Sequence, residues 1–380
     1  MVGRAPPRWA GVRFPPAFTL APEHQAAMSQ PPLEAEQLTF ADEEAVVEAF
    51  HARRWTDGLP FTLPTRARVE AMLAGAGRPA DEVVGVVPPR WAQATVENIA
   101  INAVMAGCKP EYMPVLLAAV EAACDPAFGL YSAQATTHPC GVLMVVTGPV
   151  TEAIGMNWRH GVFGPGHRAN SSLGRAMRLV LINIGGGIPG SGDQSCQGSP
   201  GKHSYCIAEN EAETPWEPFR VRKGFARSDS TVTVFAAESP HNLHDQEMYS
   251  AYKTLSALAR LMGTTAHNNS MGVSMGDVLV VLGPEHAHTI VAHGLTLADA
   301  QGFLWDKARS PIHLLMRTHG PNRMNNYPGW VNKEDQNELV PIVGTPEDIN
   351  VLVSGGPGPH SCFIPTFGFY KSVTRKVQLP

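Results

Sequence analysis

The chain has 380 residues, a formal net charge of −5, 44% hydrophobic residues and 17% charged residues. That length exceeds one ordinary core, so two domains or lobes are expected, while scattered Lys and Arg without a basic stripe argue against nucleic acid as a partner. No apolar run reaches membrane-spanning length, and six cysteines in so long a chain make no disulfide framework, so a cytoplasmic protein with reduced thiols and no membrane partner is expected.

The opening stretch, MVGRAPPRWAGVRFPPAFTLAPEHQ, is Pro-rich and basic but lacks a continuous apolar core. It reads as a poor signal peptide, and residues 1–35 read as a disordered tail. ADEEAVVEAFHARRW predicts a helix, TDGLPFTLPT a loop, and RARVEAMLAGAG a second helix ended by Gly75 or Gly77. VVGVVPP reads as a short buried strand. WAQATVENIAINAVMAGC reads as a helix closed by Gly107, and Pro110 opens the next one, PEYMPVLLAAVEAAC.

From here the sequence repeats itself. ATTHPCGVLMVVTGP (135–149) and GTTAHNNSMGVSMGDVLVVLGP (263–284) share Thr-Thr, a histidine (His138, His267), an apolar strand and Gly-Pro. Each Gly-Pro leads into a helix-like segment ending at His-Gly, and another helix follows: SSLGRAMRLVLINI in one half, TLADAQGFLWDKAR in the other. STVTVFAAESP reads as the counterpart of VVGVVPP, and INVLVSGGPGPHSC as that of HSYCIAENE. Short apolar strands alternating with helices imply an α/β fold. The expectation is two pseudo-symmetric lobes, residues 36–220 and 221–380, with a ligand cleft between them.

The stretch INIGGGIPGSGDQSCQGSPGKHSYC invites a nucleotide reading, because Gly185 to Gly190 satisfies G-x-G-x-x-G. The motif requires a strand before it and a helix after it. Here Leu173, Ala176, Met177, Val180, Leu181 and Ile184 give the preceding segment helical spacing, so Gly185 ends a helix, and a helix C-terminus repels phosphate. CQGSPGKHS misses the P-loop, with Cys196 in place of the first glycine and His203 where Ser or Thr meets magnesium. No nucleotide cofactor is expected. The stretch reads as a long loop that delivers His203, Cys206, Glu209 and Glu211 to a strand.

The candidate site residues follow from their chemistry. His138 and His267, facing across a pseudo-twofold axis, are an acid–base pair or metal ligands. Glu209 and Glu211 share a strand face and split into acid and base, or bind a cation. A divalent metal on His138, His267 and Glu209 is one option, and no organic cofactor motif stands out. His167, Arg168, Asn170 and Arg175 near a helix start suit a carboxylate or phosphate group. Cys206 and Cys362, with His360 two residues before the latter, are candidate nucleophiles or soft ligands. Cys140 and Cys196 are weaker candidates of the same kind, and Cys108 and Cys124 read as inert thiols in helices. His241 and His244 are spaced to share a helical face.

WTDGLPFTLPT, VENIAINAVMAGCKPEYMPVLLAAVEA, TTHPCGVLMVVTGP, GPGHRANSSLGRAMRL and CIAENEAETPWEP together resemble a little-characterised bacterial family. That family is associated with small selenocysteine- or cysteine-containing proteins bearing a UGSC motif. The resemblance runs from about Trp55 onward. It implies redox or sulfur chemistry or a protein partner, and gives no residue a role. The combined expectation is a lyase or hydrolase acting on a small polar, anionic substrate. The alternatives are a metal- or thiol-dependent oxidoreductase with a partner protein and a non-catalytic binding subunit. A homo-oligomer or partner subunit stays open.

Overall fold

Local signals place the helices in the computed structural model, which describes residues 33–247, 250–265, 267–271, 276–316, 329–332 and 334–380. Asp42 caps α1 (Glu43–Ala52) by accepting the Ala45 N–H at 2.8 Å. α2 (Arg66–Ala76) ends on the left-handed Gly77. β1 (Val83–Val87) and β2 (Ala92–Thr95) form an antiparallel hairpin. Thr95 then caps α3 (Val96–Ala106), which Gly107 closes at φ +84. The segment from Trp91 was expected to be helical throughout. Its first residues pair with β1 instead, and β1 is half exposed where a buried strand was expected.

α4 (Met113–Cys124), α5 (Leu130–Ala135), β3 (Gly141–Thr147), α6 (Val150–Ala153), α7 (Arg168–Asn183) and β4 (Cys206–Ala208) follow. Then come α8 (Phe219–Arg222), β5 (Thr231–Ala237), β6 (His241–His244), α9 (Ala251–Met262), β7 (Val278–Leu282), α10 (Pro284–Ala292) and α11 (Leu297–Lys307). The chain ends with β8 (Arg309–Pro311), α12 (Ile312–Met316), β9 (Leu339–Pro341), β10 (Ile349–Val353), β11 (His360–Ile364) and β12 (Val373–Lys376). β8 and β9 form a second small hairpin. Thr296 begins α11 with a capping box to Asp299. His241 and His244 sit on a strand, where residues three apart face opposite ways, so they share no helical face.

Two four-stranded sheets carry the fold, ordered β12-β5-β3-β4 and β6-β11-β7-β10. Each has a central strand with one parallel neighbour: β3 with β4, and β7 with β10. On the other side each pairs antiparallel, β3 with β5 and β7 with β11, and then β12 and β6 complete the edges. The two sheets thus repeat one pairing pattern. β6 follows β5 in the chain but lies in the other sheet, and β12 follows β11 but lies in the first. β4 and β10 hold the same place, each as the parallel neighbour of its sheet's central strand. β5 matches β11, whereas β1 belongs to a separate hairpin.

Residues of alternate strand positions meet between the sheets. Leu143, Val145, Ile207, Phe235, Leu279, Val281, Leu352 and Ile364 belong to one buried layer. The space expected to be an open cleft is therefore packed core. α4 and α7 cover the outer face of the first sheet, and α9, α10 and α11 that of the second. With both faces covered, the strands read as unbroken apolar runs. Glu34–Pro380 is one compact unit, and strands from either side of residue 220 share a sheet. The expected tail at 1–35 lies almost wholly outside the described residues. The N–H groups of Glu34 and Ala35 donate to the Glu97 carboxylate at 3.0 and 2.9 Å.

The sheets are also joined just beyond β5 and β11. Ala237 bridges Thr366, flanked by Glu238 N–H to the Pro365 carbonyl at 2.9 Å and Phe367 N–H to the Ala236 carbonyl at 2.8 Å. Exchanging the two segments regenerates the same pair of bonds. Glu238 and Phe367 hold equivalent places.

Candidate functional site

His138 stands just before β3, and Glu238 just after β5. Because β3 and β5 run antiparallel with Gly141 opposite Ala237, the pairing brings these two residues to the same sheet end. His138 Nε2 lies 2.7 Å from Glu238 Oε1, with both side chains largely buried. An ionised carboxylate only accepts, so Nε2 donates to it, and in a neutral imidazole Nδ1 is then the acceptor. That Nδ1 is buried and has no partner among the described residues. Phe367, the counterpart of Glu238, packs its ring 5.7 Å from the imidazole. The Tyr205 hydroxyl donates to the Glu238 carbonyl at 2.7 Å, which fixes the backbone behind the carboxylate.

His267 is buried, and both its nitrogens are engaged. Nε2 donates to the Met262 carbonyl at 2.9 Å and Nδ1 accepts the Ser270 N–H at 3.2 Å. Burial lowers its pKa, opposed by the Met262 bond and the Glu238 charge, so it is held as the neutral imidazole. It has no lone pair left for a metal.

Glu209 and Glu211 lie at the opposite end of the first sheet. β4 runs parallel to β3 and finishes at Ala208, so the length of β3 separates them from His138 by about 20 Å. The expected grouping of Glu209 and Glu211 with His138, His267 and His360 in one cleft is therefore absent. Among the described residues no group of three or more His, Cys, Asp or Glu is placed to hold a metal.

Glu209 is 2% exposed, and both its oxygens lie 3.0 Å from the Phe219 N–H. Burial raises its pKa to about 7, against the Phe219 bond and the Arg222 charge. Glu211 turns elsewhere. It accepts the Gly148 N–H at 2.6 Å and pairs with Arg220. Gly148 has φ +99, and a Cβ there would meet the Asp229 carbonyl oxygen, so only glycine fits this turn. Asn210 is buried with its Oδ1 unpartnered among the described residues.

Of the residues expected to hold an anion, Arg175 and Asn170 are committed to the fold. Arg175 grips Asp57 of the TDGLP loop through Nε at 2.7 Å and a terminal nitrogen at 2.8 Å. Burial works to raise the Asp57 pKa, but the Arg175 hydrogen bond and charge hold it below the usual range. Arg168 donates to the Gly107 carbonyl at 2.9 Å. Asn170 is buried and exchanges hydrogen bonds with Asn157 through both ends of its amide. His167 is exposed at the start of α7 without a side-chain cap.

The buried candidate cysteines are neutral thiols. Burial pushes Cys362 up to about 12 and Cys206 higher still. Cys362 faces the layer between the sheets, and Cys206 the opposite face of its strand. His360 is exposed, stacked on His244 at 4.7 Å and bonded through Nδ1 to Asn242 Oδ1 at 3.0 Å.

The glycine-rich stretch behaves as a helix terminator. The N–H groups of Gly185, Gly186 and Gly187 close onto Val180, Ile182 and Leu181, and Gly186 has φ +73. Lys202, the P-loop-like lysine, bonds both oxygens of Asp193 at 2.8 Å, and Arg178 joins the same carboxylate at 3.0 Å.

The sequence reading missed Glu238 and Tyr205. The signal for Glu238 is a carboxylate closing a seven-residue apolar strand, in VTVFAAESP. No family model, curated protein or solved structure matches the chain. No single helix among the described residues is long and apolar enough to cross a membrane.

Proposed function

We propose that this chain is a small-molecule enzyme of lyase or hydrolase type, with His138 as the proton-transfer group. The observation that supports this is the His138–Glu238 pair: a carboxylate at 2.7 Å on one nitrogen and, on the other, a buried Nδ1 with no partner among the described residues. A carboxylate behind an imidazole fixes its tautomer and stabilises the imidazolium that forms when Nδ1 takes a proton. Glu238 is then a positioning residue, and Phe367 a wall that limits water.

The reading leaves out Arg168, Arg175, whose fork is taken by Asp57, and the buried thiols Cys206 and Cys362. It also leaves out a metal on His138, His267 and Glu209. The thiol-dependent oxidoreductase and binding-subunit alternatives have no comparable arrangement in their favour. Six free cysteines and a charge of −5 favour a reducing compartment and a small-molecule ligand over nucleic acid. We also propose that the repeated pairing pattern reflects an internal duplication in which each half lends its last strand to the other sheet. Only the first half keeps the carboxylate, since Phe367 replaces it in the second.

Nitrogen-15 NMR of His138 tests the proposed role before any substrate is known. Nε2 is expected to be protonated and Nδ1 bare, with the tautomer mixed in Glu238→Gln. A proton held on Nδ1 in the wild type would remove the base from the proposal.

A further inference from the structure

We propose that a cavity beside β4 binds a single-ring aromatic molecule bearing a polar substituent. The cavity measures about 200 Å3 and lies among the 162–165 turn, the first turn of α7 and the segment leading into β4. Phe163 and Tyr205 line it, with ring centroids 6.3 Å apart and planes inclined at 58°. Pro165 and Pro200 add further apolar wall. A ligand ring seated on the exposed Phe163 ring, with Tyr205 behind it, gains the edge and offset contacts that such rings prefer.

Size decides the class of ligand. An enclosed apolar cavity of about 150 Å3 admits benzene, so the volume here suits a single ring with a few extra atoms. Polarity decides the substituent. The Ser171 hydroxyl and the His203 imidazole belong to cavity-lining residues, and neither has a partner among the described residues. They supply a donor and an acceptor next to the aromatic wall. The wall is preformed. The Tyr205 hydroxyl is tied to the Glu238 carbonyl at 2.7 Å, and its ring lies against Gly201, where a Cβ would come within 2.6 Å. Tyr205 thus links the cavity wall to the backbone of Glu238.

Binding is read without turnover, so the inference does not depend on the role of His138. Full-length protein is titrated with phenol, benzoate and cyclohexanecarboxylate, followed by saturation-transfer NMR and by crystal soaks. Phenol or benzoate is expected to bind at millimolar concentration in this cavity, and cyclohexanecarboxylate at least about fivefold more weakly. Phe163→Ala, at a side chain 40% exposed and so tolerated by the fold, is expected to weaken aromatic binding by a similar factor. No saturation transfer from either aromatic probe, density elsewhere, or equal binding by Phe163→Ala would overturn the proposal.

Discussion

Glu209→Gln makes the energetics of the β4 strand end measurable. Burial raises this carboxyl from 4.5 to about 7, so ionising it in the folded protein costs about 3 kcal/mol more than in the unfolded chain. The sign follows from the raised value. Below pH 4.5 the group is protonated in both states and costs nothing. As pH rises from 4.5 to 7 the unfolded chain ionises first, and folding loses stability; above pH 7 the loss is complete. Glutamine keeps an oxygen for the Phe219 N–H and removes the titration. Relative to wild type, Glu209→Gln should therefore gain about 2–3 kcal/mol of stability between pH 5 and pH 8. Urea unfolding at both pH values reads this directly. A mutant-minus-wild-type difference that does not change with pH would refute the reasoning.

Arg175→Ala leaves the Asp57 carboxylate, 4% exposed, without its bidentate partner, and should cost about 3 kcal/mol in urea unfolding. Arg175→Lys should recover little of that, because a single ammonium does not replace the fork. Native thiol titration should label Cys196 rapidly and the other five slowly, since burial holds Cys108, Cys140 and Cys362 near 12 and Cys124 near 11; rapid labelling of Cys206 or Cys362 would contradict the neutral-thiol assignment. Cleavage at a protease site engineered between β6 and α9 should leave both pieces together at native size, because each supplies an edge strand to the other's sheet. Dissociation after cleavage would count against the exchanged duplication.

The legible parts of the fold were those set by neighbours in sequence. GVLMVVT and VLVVL read as strands because both faces are covered, and Gly75 or Gly77 and Gly107 marked helix ends through local backbone chemistry. β2 was misread because WAQAT carries no strand signal of its own and becomes one only through pairing with β1. The site was hidden for a related reason. His138 could be picked out, but its carboxylate lies a hundred residues on, and only the β3–β5 register brings them together. Arg175 looked free for an anion because Asp57 is 118 residues away. Glu209 and Glu211 looked like a pair because they flank one residue, yet the chain leaves the strand after Ala208 and sends them to different partners.

The claim that His138 carries proton transfer is tested most directly by deuterium uptake from solvent and turnover across a panel of small hydroxy, keto and amino acids. The wild type should process at least one member, with His138→Gln slower by about 10²–10⁴-fold and Glu238→Gln intermediate. Equal turnover by His138→Gln, or no reaction of the wild type with any member, would contradict the account.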